Sequence, residues 1–399
     1  MASVTAAAGT LGGFIDAIGT SFWDQRIATL AEGVAQGQYS GKALAQRHVV
    51  ELTLDRLRRG LNRPPGEAER RLLALACETA RIFNILPTSG RTRLHAALRA
   101  SLGGAETLVP LFHVLRTAML QQARGFEVNF AGLEDGAPFD LLLLRDGAEA
   151  EVACDVASAE DGRDVHRGAW VTLMDKVDPD LQTWLAAHPG RYLLKLTLPQ
   201  GLRSHAAEQD RLAALHARIR DMLAAQRRAD HDEAAVLRLD PLMLAAAQAD
   251  ELGLMSSLRR EFGHEAHLAV TAAGRGVFVM AARAGRENEV AVAIRRRMAE
   301  VAPARLTGTR PGILAMFIED TDRAEWRHLR EHLELEGEAR QFLTGPAARC
   351  VVAVTCASRL ELFGLPAPDG VQEGELRFRN PSHPAAKSPA LAPAVLSTL

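Results

Sequence analysis

Cysteine is scarce in this chain, and the few cysteines present do not form a motif. The four are scattered, with no C-x-x-C pair and no histidine at a spacing typical of a zinc site: Cys77, Cys154, Cys350 and Cys356. A cysteine-based zinc site and a C-x-x-C redox motif are therefore excluded, because both need cysteines at characteristic spacings. We expect the four thiols to be reduced and buried.

Long apolar runs and an excess of basic charge are also missing. The Ala- and Gly-rich residues 2–21 have no basic start, contain Asp16, and do not reach the run of about 18 apolar residues that a membrane span needs. We therefore expect no membrane partner and a cytoplasmic location. The formal net charge is -2, so the strong basic excess that indicates nucleic-acid binding across a whole chain is absent, although binding is not excluded.

Several regions can be delimited within the 399 residues, a length sufficient for two or three domains. Apolar residues recur at helical spacing from residue 12 onwards, which predicts a helical N-terminal region over 1–104. Strand and helix patterns alternate over 201–364, and with the central strands they predict an α/β fold. The proline-rich residues 365–399 are predicted to be disordered beyond about Arg379, because they have little apolar surface to bury.

The central stretch of the chain predicts a three-stranded meander. Three short apolar runs, Phe126–Ala131, Phe139–Arg145 and Ala148–Ala157, are joined by turns that contain glycine. Side chains alternate across a strand, so the third run has an apolar face and an acidic face. Glu151 and Asp155 lie on the acidic face. If Asp140 points to the same side, the three carboxylates converge in the way that holds a hard divalent cation such as Mg²⁺ or Mn²⁺.

Residues 105–200 resemble the PD-(D/E)XK, or restriction-endonuclease-like, nucleases. Members of this superfamily have a carboxylate opening one strand and an E-x-K motif on the next, and Asp140 matches the first acidic position. Further residues match a stretch that follows the third strand in bacterial members: Ser158, Gly162, Arg163, His166 and Arg167. The resemblance implies a mixed-sheet core preceded by a helix over 105–124, with Arg191–Leu198 as a fourth strand parallel to its neighbour.

The chain departs from this pattern at the E-x-K motif. Ala153 stands at the position of the glutamate and Asp155 at that of the lysine. Ala153 removes a metal ligand, and Asp155 replaces the cation that would stabilise the developing charge with a carboxylate. We therefore predict a nucleic-acid-associated protein with a degenerate, inactive nuclease site at Asp140, Glu151 and Asp155. The resemblance implies nucleic-acid contacts at three residues: Arg163, His166 and Arg167.

Two alternatives stay open. In the first, the site has migrated and the protein is an active metal-dependent nuclease, with Glu151 as a ligand and Arg163, His166 or Lys176 as the cation. In the second, the degenerate fold is a structural or interaction subunit that binds a protein partner. A basic stripe that gathers Arg163, Arg167 and Arg295–Arg297 would favour a role with nucleic acid. An exposed apolar patch on the helices of residues 12–100 would favour the interaction subunit.

Overall fold

A computed structural model describes residues 11–60, 63–203, 209–242, 251–263, 265–359 and 375–398. The described chain is an α/β protein with two mixed sheets and an N-terminal helical region, which confirms the predicted fold class. It divides into two compact units. The first comprises Met1–Glu32, Ala45–Ala159 and Ala291–Leu399, and the second comprises Gly33–Leu44 and Glu160–Val290. This division differs from the predicted linear ranges, because the second unit interrupts the first twice.

The regular elements are numbered in chain order. The helices are α1 (11–18), α2 (Thr20–Ala35), α3 (Gln38–Arg47), α4 (Val49–Arg59), α5 (Glu67–Ile85), α6 (Thr88–Ser101), α7 (Val109–Ala123), α8 (Ala131–Glu134), α9 (Arg167–Ala187), α10 (Gln209–Ala224), α11 (Glu251–Phe262), α12 (Val290–Arg305), α13 (Arg323–Glu331), α14 (Glu334–Thr344) and α15 (Ala392–Val395). The strands are β1 (Glu127–Asn129), β2 (Leu141–Arg145), β3 (Ala148–Ser158), β4 (Arg191–Leu198), β5 (Ala229–His231), β6 (Val236–Pro241), β7 (His267–Ala273), β8 (Gly276–Ala284), β9 (Gly312–Glu319), β10 (Val351–Ser358) and β11 (Leu376–Arg379). None of the helices in these described ranges is both long enough and apolar enough to cross a bilayer.

The first unit is built on a six-stranded sheet in the order β1-β2-β3-β9-β10-β11. The predicted meander is confirmed, since β1, β2 and β3 pair antiparallel in sequence. Asp146 and Gly147 join β2 to β3 and both have positive φ, as a two-residue hairpin turn requires. β3, β9 and β10 are parallel to one another. All residues of β9 and β10 are buried, as is typical of parallel strands covered on both faces.

Arg191–Leu198 is a strand parallel to a neighbour, but its expected place as the fourth strand of the core that contains the meander is wrong. This strand, β4, lies in the second unit, in a five-stranded sheet of order β5-β6-β4-β8-β7, where it is parallel to β8. The neighbour of β3 is instead β9. The physical reason is burial: β9 is apolar along nearly its whole length, whereas β4 contains Lys195 and alternates between buried and partly exposed residues. A place between two parallel strands suits the first pattern better.

Buried aromatic rings and a capping carboxylate hold α7 in place within the first unit. Phe14 of α1 packs with its ring centroid 6.0 Å from that of Trp23 and 6.1 Å from that of Phe112 on α7. At the start of α7, the buried Glu51 accepts a hydrogen bond of 2.8 Å from the backbone N–H of Leu108. A carboxylate at a helix N-terminus is stabilising. These contacts position the helix that covers the β3 side of the sheet.

In the second unit, a single carboxylate holds the start of α3. Asp175 of α9 accepts hydrogen bonds from the backbone N–H groups of Tyr39, at 2.8 Å, and Ser40, at 2.9 Å. Burial acts to raise the pKa of Asp175, but the hydrogen bonds from the Ser40 side chain and from the backbone N–H groups prevail and hold it below its usual value. The N-terminal helical region therefore contributes one of its helices to the second unit.

The prediction of disorder beyond Arg379 is wrong. Leu376–Arg379 forms β11 and pairs antiparallel with β10, and the buried side chains that follow include Leu391 and Val395. Two prolines stand at helix starts, Pro384 in the 3₁₀ turn Pro384–Lys387 and Pro393 in α15, where the missing N–H costs nothing. Residues 365–374 of the predicted tail lie outside the described residues.

Candidate functional site: a pair of arginine–carboxylate contacts beside a cavity

The β2–β3 hairpin determines where the three predicted carboxylates lie. Leu141 is paired with Val152, and the N–H of Asp140 donates to the carbonyl oxygen of Val152 at 2.9 Å. Asp140 directly precedes β2, and it contacts the backbone of β3 at Val152 and Cys154. Glu151 and Asp155 lie on β3 two residues to either side of Ala153, on the same face of the strand.

Asp140 is held by an arginine from α12. Nη2 of Arg305 lies 2.9 Å from both oxygens of the Asp140 carboxylate, and the N–H of Cys154 donates to Oδ2 at 2.7 Å. Nε of the same arginine donates to the carbonyl oxygen of Pro138. Burial raises the pKa of Asp140, and the charge of Arg305 opposes that rise only in part.

Asp155 forms a second ion pair with α12. Nε and Nη2 of Arg297 donate to the two oxygens of Asp155 at 2.6 and 3.1 Å, which is the two-pronged geometry that arginine and a carboxylate favour. The Arg297 side chain is 43% exposed and the Asp155 side chain 14%. At the position where the resembled nucleases have a lysine, this chain therefore has a carboxylate already neutralised by a neighbouring helix.

Glu151 faces the loop between α12 and β9. Its side chain is fully buried, and it accepts hydrogen bonds from the backbone N–H of Thr307, at 2.8 Å, and from the hydroxyl of the same residue. Nη1 of Arg310 lies 3.6 Å from Oε1. Glu151 is thus fully engaged in holding a loop.

The predicted convergence of Asp140, Glu151 and Asp155 on one ion is not found. Each carboxylate has its own set of donors, and in the part of the chain that the structure describes no group of three or more His, Cys, Asp or Glu side chains has an arrangement that could hold a metal. α12 supplies Arg297 and Arg305 to the acidic face of β3. The prediction did not place this helix over β3, because α12 follows β3 only after the inserted second unit.

The residues predicted to contact nucleic acid belong to the second unit. Arg163 is buried, at 4% exposure, and forms an ion pair with Glu160. Glu160 also accepts a hydrogen bond of 2.7 Å from the backbone N–H of Arg167, while the N–H of His166 donates to the carbonyl oxygen of Leu202 at 2.8 Å. The charge of Arg163 is buried and paired within the unit, and the nucleic-acid contacts of these three residues stay a prediction. These polar groups stabilise the turn into α9.

A cavity of about 480 Å³ opens beside the two arginine–carboxylate pairs. One side is formed by apolar residues of α6, α7 and the segment around α8, and the other by β3 and α12. Its polar lining consists of seven residues: Ser101, His113, Asp140, Cys154, Asp155, Arg297 and Arg305. The cavity therefore has an apolar wall and a charged wall.

His113 is a cavity residue that the sequence did not single out. It is 2% exposed, and burial lowers its pKa to about 4, so the imidazole is neutral near pH 7. Nε2 lies 3.0 Å from the carbonyl oxygen of Ala315 and is therefore the protonated nitrogen. Nδ1 is left as an acceptor without a hydrogen-bond partner among the described residues. The available signal was a histidine within the apolar run Val109–Leu115.

We expect His113 to make the first unit less stable in acid. The unfolded chain binds a proton at this side chain near pH 6.5, whereas the folded chain does so only near pH 4. Between these values the free energy of unfolding should fall as the pH falls, by about 1.4 kcal/mol per pH unit for one proton. Urea unfolding between pH 4.5 and 7.5 should show a smaller slope in His113→Gln.

Leu111→Ala provides the matched control, since Leu111 also lines the cavity and does not titrate. It should lower the stability by a similar amount at every pH. An unchanged pH slope in His113→Gln would contradict the assignment of a buried neutral imidazole.

Comparison of the chain with protein-family models, with curated proteins and with solved structures gave no match.

Proposed function

We propose that this chain is a nucleic-acid-associated protein with a restriction-endonuclease-like core that does not cleave phosphodiester bonds. One observation carries the proposal: Arg305 contacts both oxygens of Asp140, while Ala153 stands at the position of the E-x-K glutamate. A divalent cation would have to displace the guanidinium to reach the carboxylate, and it would then lack the second ligand. The metal-assisted step needs both.

The order of elements supports the nuclease-like core. α7 precedes the antiparallel meander β1-β2-β3, and α12 leads into β9, which is parallel to β3. This is the succession of a first helix, three strands, a crossover helix and a parallel fourth strand that the resemblance implies. The fourth strand comes from residues 312–319 in place of 191–198, with the second unit inserted before α12.

The charges around Asp155 support the absence of cleavage. In metal-assisted hydrolysis a cation near the scissile phosphate stabilises the negative charge that develops. Here the nearest candidate, Arg297, shares its charge with Asp155 through two hydrogen bonds. The pair contributes no net charge to the developing transition state.

We assign the nucleic-acid contact to α12. Arg297 and Arg305 are eight residues apart, or about 12 Å along a helix. Their side chains are 43% and 33% exposed, and each guanidinium has five N–H donors, more than its carboxylate accepts. Arginine in this state can bind a phosphate without leaving its partner.

The structure supports the expected basic stripe less well than the contact at α12, because Arg163 is paired with Glu160, and Arg295 with Glu338.

Exposed apolar surface does not favour the interaction-subunit alternative either. Among the described residues 12–100, the large apolar side chain that is strongly exposed is Ile85, at 63%. One exposed residue does not form a patch.

The test combines ion binding, cleavage and nucleic-acid binding on one sample. We expect no heat on calorimetric titration with Mg²⁺ or Mn²⁺, no cleavage of single- or double-stranded DNA, and salt-dependent binding of fluorescein-labelled DNA measured by anisotropy. Arg297→Gln should weaken that binding several-fold, because it removes a phosphate contact. Arg296→Gln, a change at the adjacent position of α12, is the matched control and should have a smaller effect.

Two outcomes would contradict the proposal. Metal-dependent cleavage that is lost in Asp140→Asn would indicate an active, migrated site. Failure to bind DNA at about 50 mM salt, where phosphate contacts are stronger than at physiological salt, would favour the protein-interaction subunit.

A further inference from the structure

The cavity beside Asp140 has hydrogen-bonding capacity that the described protein residues do not use. Arg305 donates from Nε to the carbonyl oxygen of Pro138 and from Nη2 to the carboxylate of Asp140. Its Nη1 makes no hydrogen bond to the residues that the structure describes. On the helix opposite, Nδ1 of the buried His113 also has no hydrogen-bond partner in this part of the chain. Both residues line the cavity.

The unused capacity at the charged wall consists of donors. Asp140 already accepts three contacts, two from Arg305 and one from the N–H of Cys154. Asp155 accepts two from Arg297. In each pair the carboxylate is the more buried partner and the arginine the more exposed one. A ligand at this wall therefore meets N–H groups and has to provide an acceptor.

The opposite wall is apolar and has room for an organic group. Ala97 of α6, three residues of α7 and Leu133 of α8 line it, the three being Pro110, Leu111 and Val114. The volume of about 480 Å³ lies within the range of cavities that hold small organic ligands, which is about 300–1,000 Å³.

We propose that this cavity binds a small organic anion, in which a carboxylate or a phosphate monoester is joined to an apolar body. The oxyanion contacts the guanidinium of Arg305, which matches both groups. The apolar body lies against Ala97, Leu111 and Leu133. A hydroxyl on that body would supply the donor that Nδ1 of His113 lacks. This inference does not depend on the proposed nucleic-acid role.

The test is isothermal calorimetry of the full chain with a matched set of small molecules. 3-Phenylpropionate and phenyl phosphate contain both an anionic group and an apolar body. The first tests the carboxylate and the second the phosphate monoester. 3-Phenylpropan-1-ol has the body without the charge, while acetate and inorganic phosphate have the charge without the body. We expect binding of at least one of the first two, at least tenfold tighter than any of the last three.

Two cavity variants and one control separate the contributions of charge and shape. Arg305→Gln should weaken binding about tenfold or more, by removing the charged donor. Ala97→Trp leaves the ion pairs unchanged and fills the apolar side, and should also weaken binding at least tenfold. Arg296→Gln, on α12 but outside the cavity lining, should bind as the wild type does. Thermal unfolding of each variant checks that it is folded.

The inference is overturned if neither aromatic anion binds the wild type, if the alcohol binds as tightly as the anions, or if Ala97→Trp binds normally. Ala97→Trp also separates this inference from the proposed function, because a filled cavity should leave binding of labelled DNA to α12 unchanged.

Discussion

We expect Phe317→Ala to lower the free energy of unfolding of the first unit by about 3–5 kcal/mol, the range for truncating a buried aromatic side chain. Phe317 is fully buried at the centre of β9, where its backbone pairs with Val156 of β3 and Ala357 of β10. Its ring centroid is 5.4 Å from that of His113. The substitution leaves a void between the sheet and α7 that rigid parallel strands cannot close.

Hydrogen–deuterium exchange can assign this loss to one unit. The free energy of opening measured at the β10 amides should fall by about the same amount as the free energy of unfolding. The value at the β4 amides should change much less. Phe278→Ala is the matched control, because Phe278 is also fully buried but lies in β8 of the second unit. It should affect the β4 amides first. Equal losses in both sheets from either variant would contradict the division into two units.

Glu151→Gln is expected to cost about 2–4 kcal/mol, because it replaces hydrogen bonds to a buried charged group by neutral ones and disturbs the donor pattern around it. Glu151 is fully buried and accepts from the N–H and the hydroxyl of Thr307. In the glutamine, the amide oxygen can still accept from the N–H of Thr307, but an NH₂ group replaces the charged acceptor of the Thr307 hydroxyl, which has to reverse its direction or lose its bond. The loop that connects α12 to β9 should loosen as a result.

Glu149→Gln is the matched control for this effect. Glu149 lies on the same strand two residues earlier and contacts the same Arg310, but it is 43% exposed. Exposed ion pairs contribute little, so urea unfolding should change by about 0.5 kcal/mol or less. Comparable losses in both variants would mean that the burial of Glu151 does not determine its contribution.

The local part of this fold could be predicted from the sequence. The meander β1-β2-β3 follows from alternating apolar residues and the Asp146–Gly147 turn, both of which act over a few residues. The position of Asp140 near the start of β2 followed from the same pattern. These features depend on residues that are close together in the sequence, so a local pattern is enough to predict them.

The partners of these elements could not be predicted in the same way. Arg305 contacts Asp140 across 165 residues of sequence, and Arg297 contacts Asp155 across 142. No local pattern indicates which distant helix will cover a strand, and the acidic face of β3 therefore suggested a metal site. The C-terminal prediction failed for a related reason. Its proline content suggested disorder, whereas Phe378 and Val395 are buried by packing that composition does not reveal.

The insertion of the second unit between β3 and α12 has a consequence for biosynthesis. The strands of the second sheet are all translated once residue 284 has been added, whereas β9 begins at residue 312 and β10 at residue 351. A nascent chain can therefore complete the second sheet while the first still lacks its middle. During that interval β3 has an unpaired edge, the kind of strand that recruits other chains. Chaperone binding during translation should be concentrated on β3 until β9 emerges.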